Sequence, residues 1–119
     1  MPVVPFDPVQ RIRLTQGDQL PFIQATLEDG NGNPIDLTVA TVRFHMVTYA
    51  PPNTVVVDGP ATVLQSGTIN KGVAQYNWQP TDTQTPGLYS GYFVITQGSF
   101  VQHYPPDNQS FLIQIFPKL

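Results

Sequence analysis

Between Asp29 and Tyr89 the chain repeats one pattern: runs that alternate apolar and polar side chains, each closed by residues that favour turns. Thr41 to Thr48 shows it most cleanly. Val42, Phe44 and Met46 point one way, and Arg43 and His45 the other. Successive side chains of an extended strand face opposite sides, so a period of two is what a strand with one buried face requires. The 13 prolines act in the same direction, because each interrupts a helical backbone ladder. They stand at the boundaries of the alternating runs: Pro34, Pro51-Pro52, Pro60, Pro80, Pro86 and Pro105-Pro106.

The other runs follow from the same rule. Val9 to Leu14 places Ile12 and Leu14 on one face. Leu20 to Leu27 places Ile23, Ala25 and Leu27 together, with Phe22, Gln24 and Thr26 opposite. Thr54–Val57 and Ala61–Leu64 are short β-branched runs split by Asp58-Gly59-Pro60, a break expected of an edge strand or of one that bends between sheets. Val73 to Gln79 carries Ala74, Tyr76 and Trp78 on one face, and the single tryptophan belongs near the centre of the core. Gly87 to Thr96 is the longest run, and Gln97-Gly98-Ser99 folds it back into Phe100–Tyr104 as a hairpin. Ser110 to Phe116 closes the series. The expected fold is all-β, a β-sandwich of about eight strands with little or no helix. Residues 1–8 read as an extended N-terminal arm, because Pro2, Pro5 and Pro8 favour polyproline-like geometry. Residues 9–119 form one domain, long enough for one core.

Composition excludes several function classes. There is no cysteine, so neither a disulfide framework nor a thiolate metal site is expected. The five basic residues, Arg11, Arg13, Arg43, Lys71 and Lys118, are scattered, whereas a nucleic-acid surface needs clustered cations. No apolar stretch approaches the roughly 20 residues that span a bilayer. The N-terminus lacks the basic start and continuous apolar stretch of a signal peptide. Charge is sparse, with net charge -3, which is compatible with close packing between copies in an assembly.

Candidate chemistry is thin. Asp29, Asn31 and Asn33 open like a calcium loop, but Pro34 stands where glycine is needed and Ala40 where a bidentate carboxylate is needed, so a polar turn is expected. His45 and His103, the only histidines, have no metal-binding spacing and are expected as two unrelated surface imidazoles. Gly87-Leu88-Tyr89-Ser90-Gly91 has the wrong spacing for a nucleophile elbow. No catalytic, cofactor or metal residue is therefore assigned, and the chain reads as non-enzymatic. Tyr49, Tyr92, Phe100 and Tyr104 fall near strand ends or on the faces opposite the core, where exposed rings stack on sugars or anchor protein interfaces. The partner-binding candidates are Val3, Val4 and Phe6 in the arm, with Tyr49 and Tyr104.

Gly17-Asp18, Ala25-Thr26-Leu27, Asp29-Gly30-Asn31-Gly32-Asn33-Pro34-Ile35-Asp36-Leu37-Thr38 and Ala40-Thr41-Val42-Arg43-Phe44 occur in that order. Gly72-Val73, Tyr76-Asn77-Trp78-Gln79-Pro80, Asp82-Thr83, Thr85-Pro86-Gly87-Leu88-Tyr89 and Tyr104-Pro105 follow. Over about residues 11 to 116 this order resembles the immunoglobulin-like domain of tailed-phage baseplate upper proteins. The resemblance implies an immunoglobulin-like sandwich in a virion, bound to other virion structural proteins and present as a homo-oligomer or in many copies. The implied roles are tail or baseplate component, neck adaptor or capsid decoration. The alternative is a carbohydrate-binding module or adhesin for host attachment, using the exposed aromatics. A glycan array separates the two readings.

Overall fold

The cleanest alternating runs, among them Thr41–Thr48 and Gly87–Thr96, become strands with Val42, Phe44, Met46, Tyr89, Phe93 and Ile95 buried. The computed structural model describes residues 11–106 and 110–119. Val3, Val4, Phe6 and the rest of the expected arm lie outside the described residues. Nine strands are present among the described residues, in keeping with the expected number of about eight: β1 (Arg11–Thr15), β2 (Ile23–Thr26), β3 (Thr41–Thr48), β4 (Val55–Pro60), β5 (Thr62–Val63), β6 (Val73–Tyr76), β7 (Gly87–Gln97), β8 (Phe100–Tyr104) and β9 (Phe111–Phe116). There is no helix among the described residues.

The strands make two sheets. The larger has the order β1-β9-β7-β3-β4, with β8 also on β7, and the smaller has the order β2-β6-β5. β1 runs parallel to β9, and the other pairs are antiparallel. β3 takes one edge of β7. The other edge is divided: Gly87–Gly91 pairs with β9 and Phe93–Gln97 with β8. The break at Pro60 is where the chain changes sheets. β4 pairs with β3 in the larger sheet and β5 with β6 in the smaller one. β4 is also irregular, because its register against β3 shifts between Met46 and Val47, and Val56 is passed over.

Aromatic rings fill the space between the sheets. Phe44 stacks on Tyr76 at 4.8 Å, with Phe93 at 5.3 Å and Trp78 edge-on at 5.8 Å. Phe44, Tyr76, Trp78 and Phe93 are all buried. Two of these rings carry polar atoms that need partners in a dry core. Trp78 Nε1 donates to the Pro21 carbonyl at 3.0 Å, and the Tyr76 hydroxyl donates to the Asp82 carboxylate. Burial, then that carboxylate, pushes the Tyr76 phenol well above its usual pKa. At the corner leading into β7, the Tyr89 hydroxyl donates to the Thr85 carbonyl at 2.7 Å.

Side-chain oxygens organise the loops. Asp29 Oδ1 accepts from the backbone N–H groups of Asn31 at 2.9 Å and Asn33 at 3.1 Å, so this carboxylate shapes a turn. Asp36 Oδ1 accepts from the Thr38 hydroxyl at 2.6 Å, Gln65 Nε2 at 2.8 Å and the Thr38 N–H at 3.0 Å. These bonds, the Thr38 hydroxyl first, lower the Asp36 pKa to about 2. The group's folded pKa is depressed, so its stabilising contribution is fully present above its unfolded value, near 4, and is lost as pH falls through about 2. Asp36→Asn is therefore expected to flatten the acid limb of a melting-temperature profile between about pH 4 and pH 2. An unchanged acid limb in the variant would count against this assignment.

Candidate functional site

The outer face of the larger sheet is built from the residues left over by the inward alternation. Its centre is a cross-strand row. His45 on β3 lies opposite Asp58 on β4 and opposite Tyr92 on β7. Arg43 Nε donates to Asp58 Oδ1 at 2.8 Å, and an Arg43 terminal nitrogen donates to the Asp58 carbonyl at 3.1 Å. His45 Nε2 stands 3.3 Å from the same carboxylate oxygen. The Arg43 hydrogen bond is the main reason the Asp58 pKa is lowered, with the His45 charge adding to it. Arg43 and Asp58 are half exposed, so this pair positions side chains more than it stabilises the fold.

The row continues in rings. The His45 imidazole stacks on Tyr92 at 5.3 Å, and His103 on β8 meets the other side of the tyrosine at 6.1 Å. The two histidines are thus not unrelated, as sequence spacing implied. The β7–β8 hairpin register sets His103 beside Val94 and so next to Tyr92. Among the described residues no group of three His, Asp or Glu side chains gathers to hold a metal ion.

Tyr92 lies in a groove of about 810 Å³. Val47 and Ser90 share its floor. Val101 and His103 of β8 form one side, and Asn53 and Val55 the other, with Pro105 at one end. Such a volume is in the range of clefts that take ligands or extended peptides. Val101 and Val55 are more than half exposed. Leu88, Val94 and Leu112 share this face and are half-buried, so apolar side chains cover much of it. At its margin Phe100 caps the hairpin tip, 78% exposed.

The sequence candidates fare differently. Tyr49 is exposed, on a loop held by Asn53 Nδ2, which donates to the carbonyls of Thr48 at 2.8 Å and Tyr49 at 3.1 Å. Tyr104 is buried, which corrects the expectation that it is an exposed contact. The two-residue turn at Gly98-Ser99 pairs Tyr104 with Phe93, and this parity points its ring inward, 6.0 Å from Phe111. Val3, Val4 and Phe6 lie outside the described residues. Missed altogether was the groove. Its signal was present in β7, where Leu88, Tyr92 and Val94 make the outer parity as apolar as the inner one.

No protein-family profile matches the chain, and no curated protein matches it by sequence. Solved structures do resemble it. One is the N-terminal domain of ORF48 from phage TP901-1, with a TM-score of 0.57 and 14% sequence identity, over 98% of this chain and 91% of that one. The likeness extends over nearly the whole of both chains and shows a shared fold.

Proposed function

We propose that this protein is a non-enzymatic structural component of a phage particle, an immunoglobulin-like sandwich that binds other virion proteins and further copies of itself. The apolar outer face of the larger sheet carries this reading. A sheet face normally exposed to water alternates to polar residues, and this one keeps Val47, Val55, Tyr92, Val94 and Val101. Strand order supports the immunoglobulin-like type. In immunoglobulin terms β2, β6 and β5 correspond to strands B, E and D, and β9, β7, β3 and β4 to G, F, C and C′. The Tyr89 hydroxyl bond to Thr85 matches the tyrosine corner found at the start of strand F. The fold shared with a phage protein domain and the sequence resemblance to baseplate upper proteins support a place in the tail, baseplate, neck or capsid surface. The test is antibody labelling of purified particles from a host producing the protein. The expected result is label at a fixed position on the particle. Protein found only in the soluble fraction would overturn the reading.

Tyr92, flanked by two imidazoles within a groove, favours a second reading, in which the same face binds a glycan by stacking. Binding on a glycan array that is lost in Tyr92→Ala would select it. Tyr104, being buried, has no part in it.

A further inference from the structure

We infer that the Tyr92 groove selects an uncharged oligosaccharide, with Asn53, Ser90, Tyr92 and His103 reading its hydroxyl groups. The inference rests on the glycan reading given above, and adds to it the class of sugar and the residues that recognise it. Three observations carry it.

The first is hydrogen bonding that the fold does not use. Elsewhere polar side chains hold loops together. Gln65 Oε1 accepts from the Leu37 N–H at 2.8 Å and the Gly72 N–H at 3.1 Å, and Gln97 Nε2 donates to the Asp36 carbonyl at 2.6 Å. In the groove, the side chains of Ser90, Tyr92 and His103 make no hydrogen bond to another described residue. Asn53 is fixed through Nδ2, and its Oδ1 accepts from no described residue. A hydroxyl donates and accepts, a neutral imidazole does one at each nitrogen, and an amide oxygen accepts. A ligand covered in hydroxyls can answer both kinds of group.

The second is charge. No Asp, Glu, Lys or Arg side chain lines the groove. Arg43 and Asp58, on the same face, are bound to each other at 2.8 Å. An anionic sugar would lose hydration there without meeting a countercharge. A neutral sugar gives up only hydroxyl hydration, which the four side chains replace.

The third is the floor. Beneath the groove β3 and β7 are paired along their length, so their backbone groups are already taken. A peptide that extends a sheet needs the free backbone groups of an edge, and a polyproline segment needs open aromatic faces. Tyr92 has His45 stacked on it at 5.3 Å. A peptide's amides would lie against Val47, Val55 and Val101. A sugar ring instead sets its carbon–hydrogen face on such valines and keeps its hydroxyls at the rim. A groove of about 810 Å³ has room for more than one ring.

The test applies the full chain to an array of neutral oligosaccharides and the same sugars bearing sulfate, phosphate or carboxylate groups, with a displayed random-peptide library as a parallel arm. The expected result is capture of neutral sugars in preference to their acidic counterparts. By calorimetric titration with the best neutral sugar, Ser90→Ala and His103→Ala should each weaken binding about three- to tenfold, the effect of one lost hydrogen bond. Val101→Asp should weaken it further. Val39→Asp, at a position 81% exposed outside the groove, should leave it unchanged. Melting curves of the variants identify any that fail to fold. Preference for acidic sugars, or neutral-sugar binding indifferent to the Ser90, His103 and Val101 variants, would overturn this inference and leave the glycan reading standing. Binding to no sugar, or capture of peptides alone, would remove both.

Discussion

Phe44→Ala is expected to destabilise the protein by about 3–5 kcal/mol, the range for removing a large buried ring whose cavity closes only in part. Phe44 is fully buried and is the one ring in contact with Tyr76, Trp78 and Phe93 together, so both sheets lose their shared neighbour at once. Natural domains are stable by about 5–15 kcal/mol, and such a loss takes up a large part of that margin. The melting temperature should fall by roughly 10–20 °C for a domain of this size. A fall of only a few degrees would mean that the sheets do not meet around this ring.

The second large effect is expected at Gly72. Its φ is 81°, and a Cβ there would stand 2.9 Å from the Leu27 carbonyl oxygen and 3.1 Å from Pro34 Cβ. The carbonyl belongs to backbone already paired, since Ile35 N–H donates to Leu27 O at 2.8 Å and Leu27 N–H to Gly72 O at 2.7 Å. Nothing there can swing aside. The left-handed conformation costs an alanine about 1–2 kcal/mol, and the crowding adds about 1–3 kcal/mol. Gly72→Ala should therefore lower the urea midpoint by the equivalent of about 2–5 kcal/mol at an unchanged slope. A midpoint equal to that of the unsubstituted chain would show that this loop repacks freely.

The strands that were legible in the sequence are those whose alternation is local. Thr41 to Thr48 was bounded as the structure has it, and Gly87 to Thr96 differs from β7 by one residue. Trp78 was expected in the core and is buried there, although the strand carrying it ends at Tyr76. What the sequence did not carry is pairing between distant segments. The parallel contact of β1 with β9 joins residues about a hundred positions apart, and no local pattern announces it. Tyr104 was misplaced because its side is set by the hairpin register with Phe93, while proximity to a strand end says nothing about facing. The groove was missed for a related reason. Val47, Val55, Tyr92 and Val101 lie on four strands, and only the sheet order brings them together.

The irregular edge at β4 bears on what can add to the larger sheet. Val56 is passed over in the ladder, and Pro60 ends the strand without an N–H to donate. An outside strand cannot add along such a margin in continuous register, so endless fibre growth by lateral stacking is blocked there. The β4 margin is therefore a poor template for amyloid, even where molecules are crowded.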